Sequence, residues 1–250
     1  MLIDLKGKTV LVTGASSGIG RQIAIELGAA GAAVAVHYNL HEDEAIELAA
    51  ETGNGSKAFK ADLGIAQAAG DLFDTVVEEY GQVDVLVNNA GIFEPCPVES
   101  PKEEWLESWN RTLAVNLTST GILCRAAINH FVEKGGGRIV NIASRAAFRG
   151  ETRDYLAYAA SKGGMVSLSR SIARSFGKKG VKSFVIAPGF VRTPMAEAVI
   201  DEEVVVRTEL ALGEMTTPGD IAPLVVLMAS GKLDHATGST VDINAGSYMR

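Results

Sequence analysis

Thr9-Val10-Leu11-Val12-Thr13-Gly14-Ala15-Ser16-Ser17-Gly18-Ile19-Gly20 is the stretch whose reading decides the fold. Its first four residues are apolar or β-branched, as in a buried strand. Gly14, Gly18 and Gly20 then turn the chain, and helical spacing of apolar residues begins directly afterwards at Ile23 and Leu27. Strand, glycine turn and helix in that order bring backbone N–H groups to the positive end of a helix, a natural seat for a pyrophosphate. Gly20 lets helix and strand pack closely. The same glycines without a ligand would be an ordinary turn, so the rest of the chain has to supply the context.

Outward from this stretch, short apolar runs recur at 9–12, 33–36, 58–61, 83–87, 138–142, 183–187 and 240–243. Between them, Ala45/Leu48/Ala49, Leu72/Val76/Tyr80 and Met165/Leu168/Ile172/Phe176 repeat at helical spacing. Apolar strands alternating with helices predict a parallel sheet covered on both faces, because parallel strands need crossovers and the crossovers bury the sheet. Glycines at 53, 55 and 135–137 fall between the elements, and no linker or repeat divides the 250 residues, so one domain over 1–250 is expected.

Composition narrows the function classes. The chain is 47% hydrophobic and 21% charged, enough apolar surface to offset the entropy of ordering. A net charge of -7 argues against a nucleic-acid or anionic-membrane binder. The start, Met1-Leu2-Ile3-Asp4-Leu5-Lys6, lacks a signal-peptide core, and no apolar run is long enough to span a bilayer, which predicts a cytoplasmic protein. Cys96 and Cys124 make neither a disulfide framework nor a metal motif. Cys124 reads as core; Cys96, between Pro95 and Pro97, reads as a loop residue able to touch a ligand.

Four further motifs follow in order: Asn88-Asn89-Ala90-Gly91, Ser144, Tyr158-Ala159-Ala160-Ser161-Lys162 and Pro188-Gly189, with Thr237-Gly238-Ser239-Thr240-Val241-Asp242 near the end. With the opening glycine spacing they resemble the short-chain dehydrogenase/reductase family over nearly the whole chain. The resemblance implies a Rossmann-type doubly wound α/β fold with a seven-stranded parallel sheet and an NAD(P)(H)-dependent oxidoreductase interconverting a ketone and a secondary alcohol. It places the cofactor against Gly14, Ser16, Ser17, Ile19, Tyr38, Asn39, Asp62, Leu63, Asn89, Gly91, Val191 and Thr193, and against Tyr158 and Lys162. The second strand ends Val36-His37-Tyr38-Asn39 without the acid that favours NAD, so NADP(H) is preferred, with NAD(H) as the alternative. His37, Asn39 and His41 are candidate phosphate donors.

Tyr158 and Lys162 stand four apart and share a helix face. A phenol titrates near pH 10, so a neighbouring ammonium and oxidised nicotinamide are expected to favour phenolate. By the resemblance, Tyr158 passes the proton, Ser144 hydrogen-bonds the reacting oxygen, Lys162 also holds the nicotinamide ribose, and Asn116 anchors a relay water; for Asn116 a structural hydrogen bond is the equal alternative. A serine hydrolase fits poorly, since Ser144 has no Gly-x-Ser-x-Gly elbow and His37, His41, His130 and His235 have no evident partner. A non-catalytic dinucleotide-binding regulator would share the fold but would not need the Tyr158–Lys162 pair.

Arg145 and Arg149, with Arg153, are candidate ligands for a substrate carboxylate or phosphate, against the alternative that they pair with Glu151 and Asp154. Phe93, Glu94, Cys96 and a covering segment at 194–212 would complete the pocket. Within the family the chain looks most like 3-oxoacyl-[acyl-carrier-protein] reductases, with sugar or polyol dehydrogenases as the alternative. Lys179 keeps one basic position used there for the acidic carrier, and Gly135 replaces another. Apolar residues on several faces of 113–131 and 158–176, together with the resemblance, imply a homotetramer.

Overall fold

β1 (Thr9–Val12) is buried throughout, with Val10 and Val12 turned to one face of the sheet and Leu11 to the other. This computed structural model describes residues 3–197 and 201–250. The N-terminal reading at Met1 and Leu2, and residues 198–200 of the expected covering segment, lie outside the described residues.

The order is β1, α1 (Gly18–Ala29), β2 (Ala33–Tyr38), α2 (Glu42–Thr52), β3 (Lys57–Lys60), α3 (Ala66–Tyr80), β4 (Val85–Asn88) and α4 (Lys102–Leu113). A π-helical turn (Ala114–Thr118) leads into α5 (Ser119–Lys134), β5 (Gly137–Ile142), α6 (Ala146–Arg149), α7 (Leu156–Phe176) and β6 (Val181–Pro188). Then come α8 (Pro194–Glu197), α9 (Glu202–Glu209), α10 (Pro218–Ala229) and β7 (Thr240–Ile243). All seven strands are parallel, in the order β3-β2-β1-β4-β5-β6-β7, the doubly wound sheet expected.

The two faces carry the two main cores, with a smaller cluster of Ala143, Met165, Val166 and Val185 beside them. Val10, Val34, Val85 and Phe184 pack under α1, α2 and α10, whereas Leu11, Leu86 and Ile139 pack under α3, α5 and α7. Phe73, Phe131 and Phe184 are fully buried, each contributing about 1.5–3 kcal/mol of apolar transfer. Gly137 is required at the start of β5, because a Cβ there would fall 2.2 Å from the Phe131 ring.

Strand ends differ from the sequence reading where pairing decides them. β2 continues through His37 and Tyr38 because β3 pairs alongside. β4 begins at Val85 rather than 83, since the Val83 N–H is taken by His130 Nε2 at 3.1 Å. β6 runs from Val181 to Pro188, paired with β5 from Val181 to Ile186 and with β7 from Val185 to Pro188.

Candidate active site

The chain leaves β1 toward β2 and β3, then returns to β1's other side as β4, so the carboxyl ends of β1 and β4 part at a switch point where a crevice opens. A groove of about 760 Å³ lies there. Gly14, Ser16, Ser17 and Ile19 line it, as do Asn39, Asp62, Leu63, Asn89 and Gly91, and so do Val191 and Thr193.

The glycine loop is braced from two sides. Thr13 Oγ1 accepts from the N–H groups of Asn89 and Ala90 at 2.9 and 3.0 Å, and Asn89 Nδ2 donates back to the carbonyls of Thr13 and Gly14 at 2.9 and 3.0 Å. A Cβ on Gly14 would reach 2.9 Å from the Ala90 backbone, and one on Gly20 would reach 2.2 Å from the Gly14 carbonyl oxygen. Ser17, the N-cap of α1, makes no side-chain cap, so the first-turn N–H groups face the groove without a protein side chain on them. This donor set fits a dinucleotide pyrophosphate.

Tyr158 and Ser144 meet at the other end of the groove. Burial pushes the Tyr158 phenol up to about 12, opposed by a hydrogen bond from Ser144 and reinforced by the Glu151 carboxylate. In the protein alone the group is a protonated donor at neutral pH. Lys162 is buried, donates to the Ile142 carbonyl at 2.9 Å, and has its Nζ 5.7 Å from the Tyr158 ring centre. Burial brings its ammonium down to about 8.

Asn116 is fully buried in the π-helical turn. Its Oδ1 accepts from the Ile92 N–H at 2.8 Å, and its Nδ2 donates to the Ile92 carbonyl at 3.0 Å and to Ser161 at 3.2 Å. The side chain thus fixes the strand-end loop carrying Gly91 and Phe93 against α7. Phe93 lies flat on Tyr155, ring centres 3.9 Å apart, and edge-on to Tyr158 at 4.7 Å.

Several expectations move. Tyr38 is buried among the core residues, does not line the groove, and its hydroxyl meets Glu42. His37 is no exposed phosphate donor: it is buried, its Nδ1 accepts the Gly14 N–H at 2.9 Å and its Nε2 meets the Ala61 carbonyl at 3.1 Å. Burial pushes its imidazole down to about 4. Cys96 is buried with its Sγ on the Trp105 carbonyl and does not line the groove. Arg145 and Arg149 pair with Glu209 of α9 at 3.3 and 2.8 Å, and Arg145 is stacked 3.8 Å over Phe190. Arg153 pairs with Glu99 and Asp154. Sequence reasoning missed the brace of His37 and Thr13, which shows only once β2 and β4 flank β1. Glu151, in the turn after α6, also lines the groove. Among the described residues no cluster of three His, Cys, Asp or Glu side chains is placed to hold a metal. No helix of the described residues is long and apolar enough to cross a membrane.

Residues 8–204 match the short chain dehydrogenase family model. The chain is 36% identical over 257 aligned residues to 3beta-hydroxysteroid dehydrogenase 1 of Eggerthella lenta, covering 100% of this chain and 97% of the relative. It is 34% identical to a 3-oxoacyl-[acyl-carrier-protein] reductase of Vibrio cholerae (99% and 100% covered) and 35% identical to D-threitol dehydrogenase of Mycolicibacterium smegmatis (98% and 95%). A solved dehydrogenase/reductase from Sinorhizobium meliloti superposes with a TM-score of 0.91 at 33% identity, covering 99% of this chain and 98% of that one. Likeness along the full length, on a fold whose crevice gathers the motifs read from sequence, makes the chain a member of the short-chain dehydrogenase/reductase family, an oxidoreductase that works on CH–OH or carbonyl groups with a nicotinamide dinucleotide.

Proposed function

We propose that the protein reduces a ketone on an apolar body to a secondary alcohol, with a 3-oxoacyl thioester as the favoured substrate. The observation that carries this reading is Tyr158 beside Ser144 in the groove, edge-on to Phe93, which is itself stacked on Tyr155. A bound nicotinamide dinucleotide supplies the hydride. Tyr158 gives its proton to the carbonyl oxygen, and Ser144 hydrogen-bonds that oxygen as charge develops. Lys162, with one protein acceptor in Ile142, has N–H groups left to hold a ribose, and its positive charge eases loss of the phenolic proton. Asn116 positions this end of the groove through Ile92. An aromatic wall suits an acyl chain better than a polyol, whose hydroxyls it leaves without partners.

NADP(H) is the preferred cofactor in this reading, because Asn39, Leu40 and His41 line the adenosine end and no carboxylate of β2 stands there to repel a 2′-phosphate. Lys179 is exposed and offers one basic contact to an acyl carrier, whereas Gly135 ends α5 at a φ of 89° and offers none. A cytoplasmic location accords with the two free cysteines.

The test is oxidation of NADPH and NADH with a panel of ketones, followed by Tyr158→Phe. The variant should lose at least about 100-fold in kcat while binding dinucleotide as before. Turnover that survives the change defeats the mechanism, and a wild-type protein that binds dinucleotide but reduces nothing is the regulator instead.

A further inference from the structure

Two of the loops that line the groove away from Tyr158 belong to strands that are not neighbours. Gly14 follows β1 and Ala61 follows β3, with β2 between them. Backbone bonds tie each loop to β2 alone: the Ala15 N–H donates to the His37 carbonyl at 2.9 Å, and the Ala61 N–H to the Tyr38 carbonyl at 3.0 Å. The His37 side chain reaches both loops at once. Its Nδ1 accepts the Gly14 N–H at 2.9 Å and its Nε2 meets the Ala61 carbonyl at 3.1 Å, so the neutral ring carries its proton on Nε2 and donates it to Ala61. The ring is 2% exposed and still borders the groove. Gly14 leads to Ser16, Ser17 and Ile19, and Ala61 leads to Asp62 and Leu63, all of which line the groove. Asn89 and Ala90 hold the glycine loop from the β4 side, and His37 holds it from the β2 side. The Gly14 N–H, given to His37, is not a phosphate donor; its bond places the loop.

We propose that His37 is a positioning residue for the dinucleotide: it fixes the glycine loop relative to the loop after β3, and so sets affinity for the adenosine half while leaving proton transfer at Tyr158 alone. Without the ring, a buried backbone N–H and a buried carbonyl lose their partners, and the two loops relax away from each other to find new ones. Binding then has to restore their placement, which weakens it on the order of tenfold or more. The loss is the same in the ground state and the transition state, so it falls on KM for the dinucleotide and spares kcat. The ligand concerned is the family's nicotinamide dinucleotide, and the role stands whichever ketone is reduced.

The experiment compares wild type, His37→Leu, which removes both ring contacts, and His37→Asn, whose side-chain oxygen replaces Nδ1 as acceptor for Gly14. Fluorescence titration gives the affinity for NADPH, and displacement gives that for 2′-phospho-ADP-ribose, which is NADPH without its nicotinamide. His37→Leu should weaken both ligands by the same factor, at least about tenfold, with kcat at saturating NADPH within about twofold and far-ultraviolet circular dichroism unchanged. His37→Asn should return to within about threefold of wild type. Should His37→Leu not fold, His37→Gln, which keeps a donor for Ala61 and has no acceptor at the δ position, replaces it with the same expectation. A smaller loss of affinity overturns the proposal, and so does a His37→Asn protein that binds no tighter than His37→Leu. Loss of NADPH affinity with 2′-phospho-ADP-ribose unaffected, or a tenfold fall in kcat with affinity kept, also overturns it by moving the effect to the nicotinamide end. Where wild type binds NADH more tightly, NADH and ADP-ribose are the matched pair. A wild type that binds neither dinucleotide overturns the cofactor reading and this role together, whereas one that binds but reduces no ketone overturns only the proposed reaction and leaves the affinity comparison to decide on His37.

Discussion

Tyr158 was legible from its spacing to Lys162 and from Ser144 upstream; its protonation state was not, because the burial that raises it to about 12 comes from elements distant in sequence. His37 makes the same point more strongly. In the sequence it is one histidine near a strand end; in the fold it is the inner brace of the glycine loop, bonded to Gly14 and Ala61. Its neutral form is required, since Nδ1 must accept. With a folded pKa near 4 against 6.5 unfolded, the unfolded chain takes up a proton that the folded chain refuses. Stability from this residue is complete above pH 6.5 and is lost as pH falls toward 4, by up to about 3 kcal/mol. Denaturant melts at stepped pH should show this slope in wild type and a flatter one in His37→Gln; parallel profiles would mean that His37 is not the titrating group.

Among the elements, the glycine loop with α1 was readable from its pattern, since strand, glycines and helical spacing lie within a single run of chain. What the pattern did not carry is how little room the loop has. Gly20 stands 2.2 Å, at Cβ distance, from the Gly14 carbonyl and 2.5 Å from Asn89 Nδ2, so Gly20→Ala must push apart the two loops that form the switch point. We expect dinucleotide affinity to fall at least about tenfold with the far-ultraviolet circular dichroism unchanged, as measured by quenching of NADPH fluorescence. The π-helical turn at Ala114–Thr118 is the counterpart on the substrate side. Sequence reading found Asn116 as a polar residue within a helix; the wider turn and the partner, Ile92, appear only when the loop after β4 is folded over it.

On the scale of the molecule, α4 is the element that a single chain leaves least employed. Thr112 is its one fully buried residue, while Trp105 and Trp109 stack on each other at 5.1 Å and Leu106 is exposed. An amphipathic helix with so little buried surface accords with the homotetramer that the family resemblance led us to expect. Light scattering at micromolar concentration should give four times the 26.2 kDa chain mass, and a persistent monomer would contradict it. The sequence by itself determined the layer order, the parallel sheet and the glycine loop, because each is written in local periodicity or in a motif with fixed spacing, and its family resemblance put forward the Ser144, Tyr158 and Lys162 set. Only the tertiary structure decided which charges remain free. Arg145 and Arg149 looked like substrate ligands until α9 brought Glu209 to them. Charge partners are set by which chain ends a sheet brings together, a property of topology that no spacing along the chain encodes.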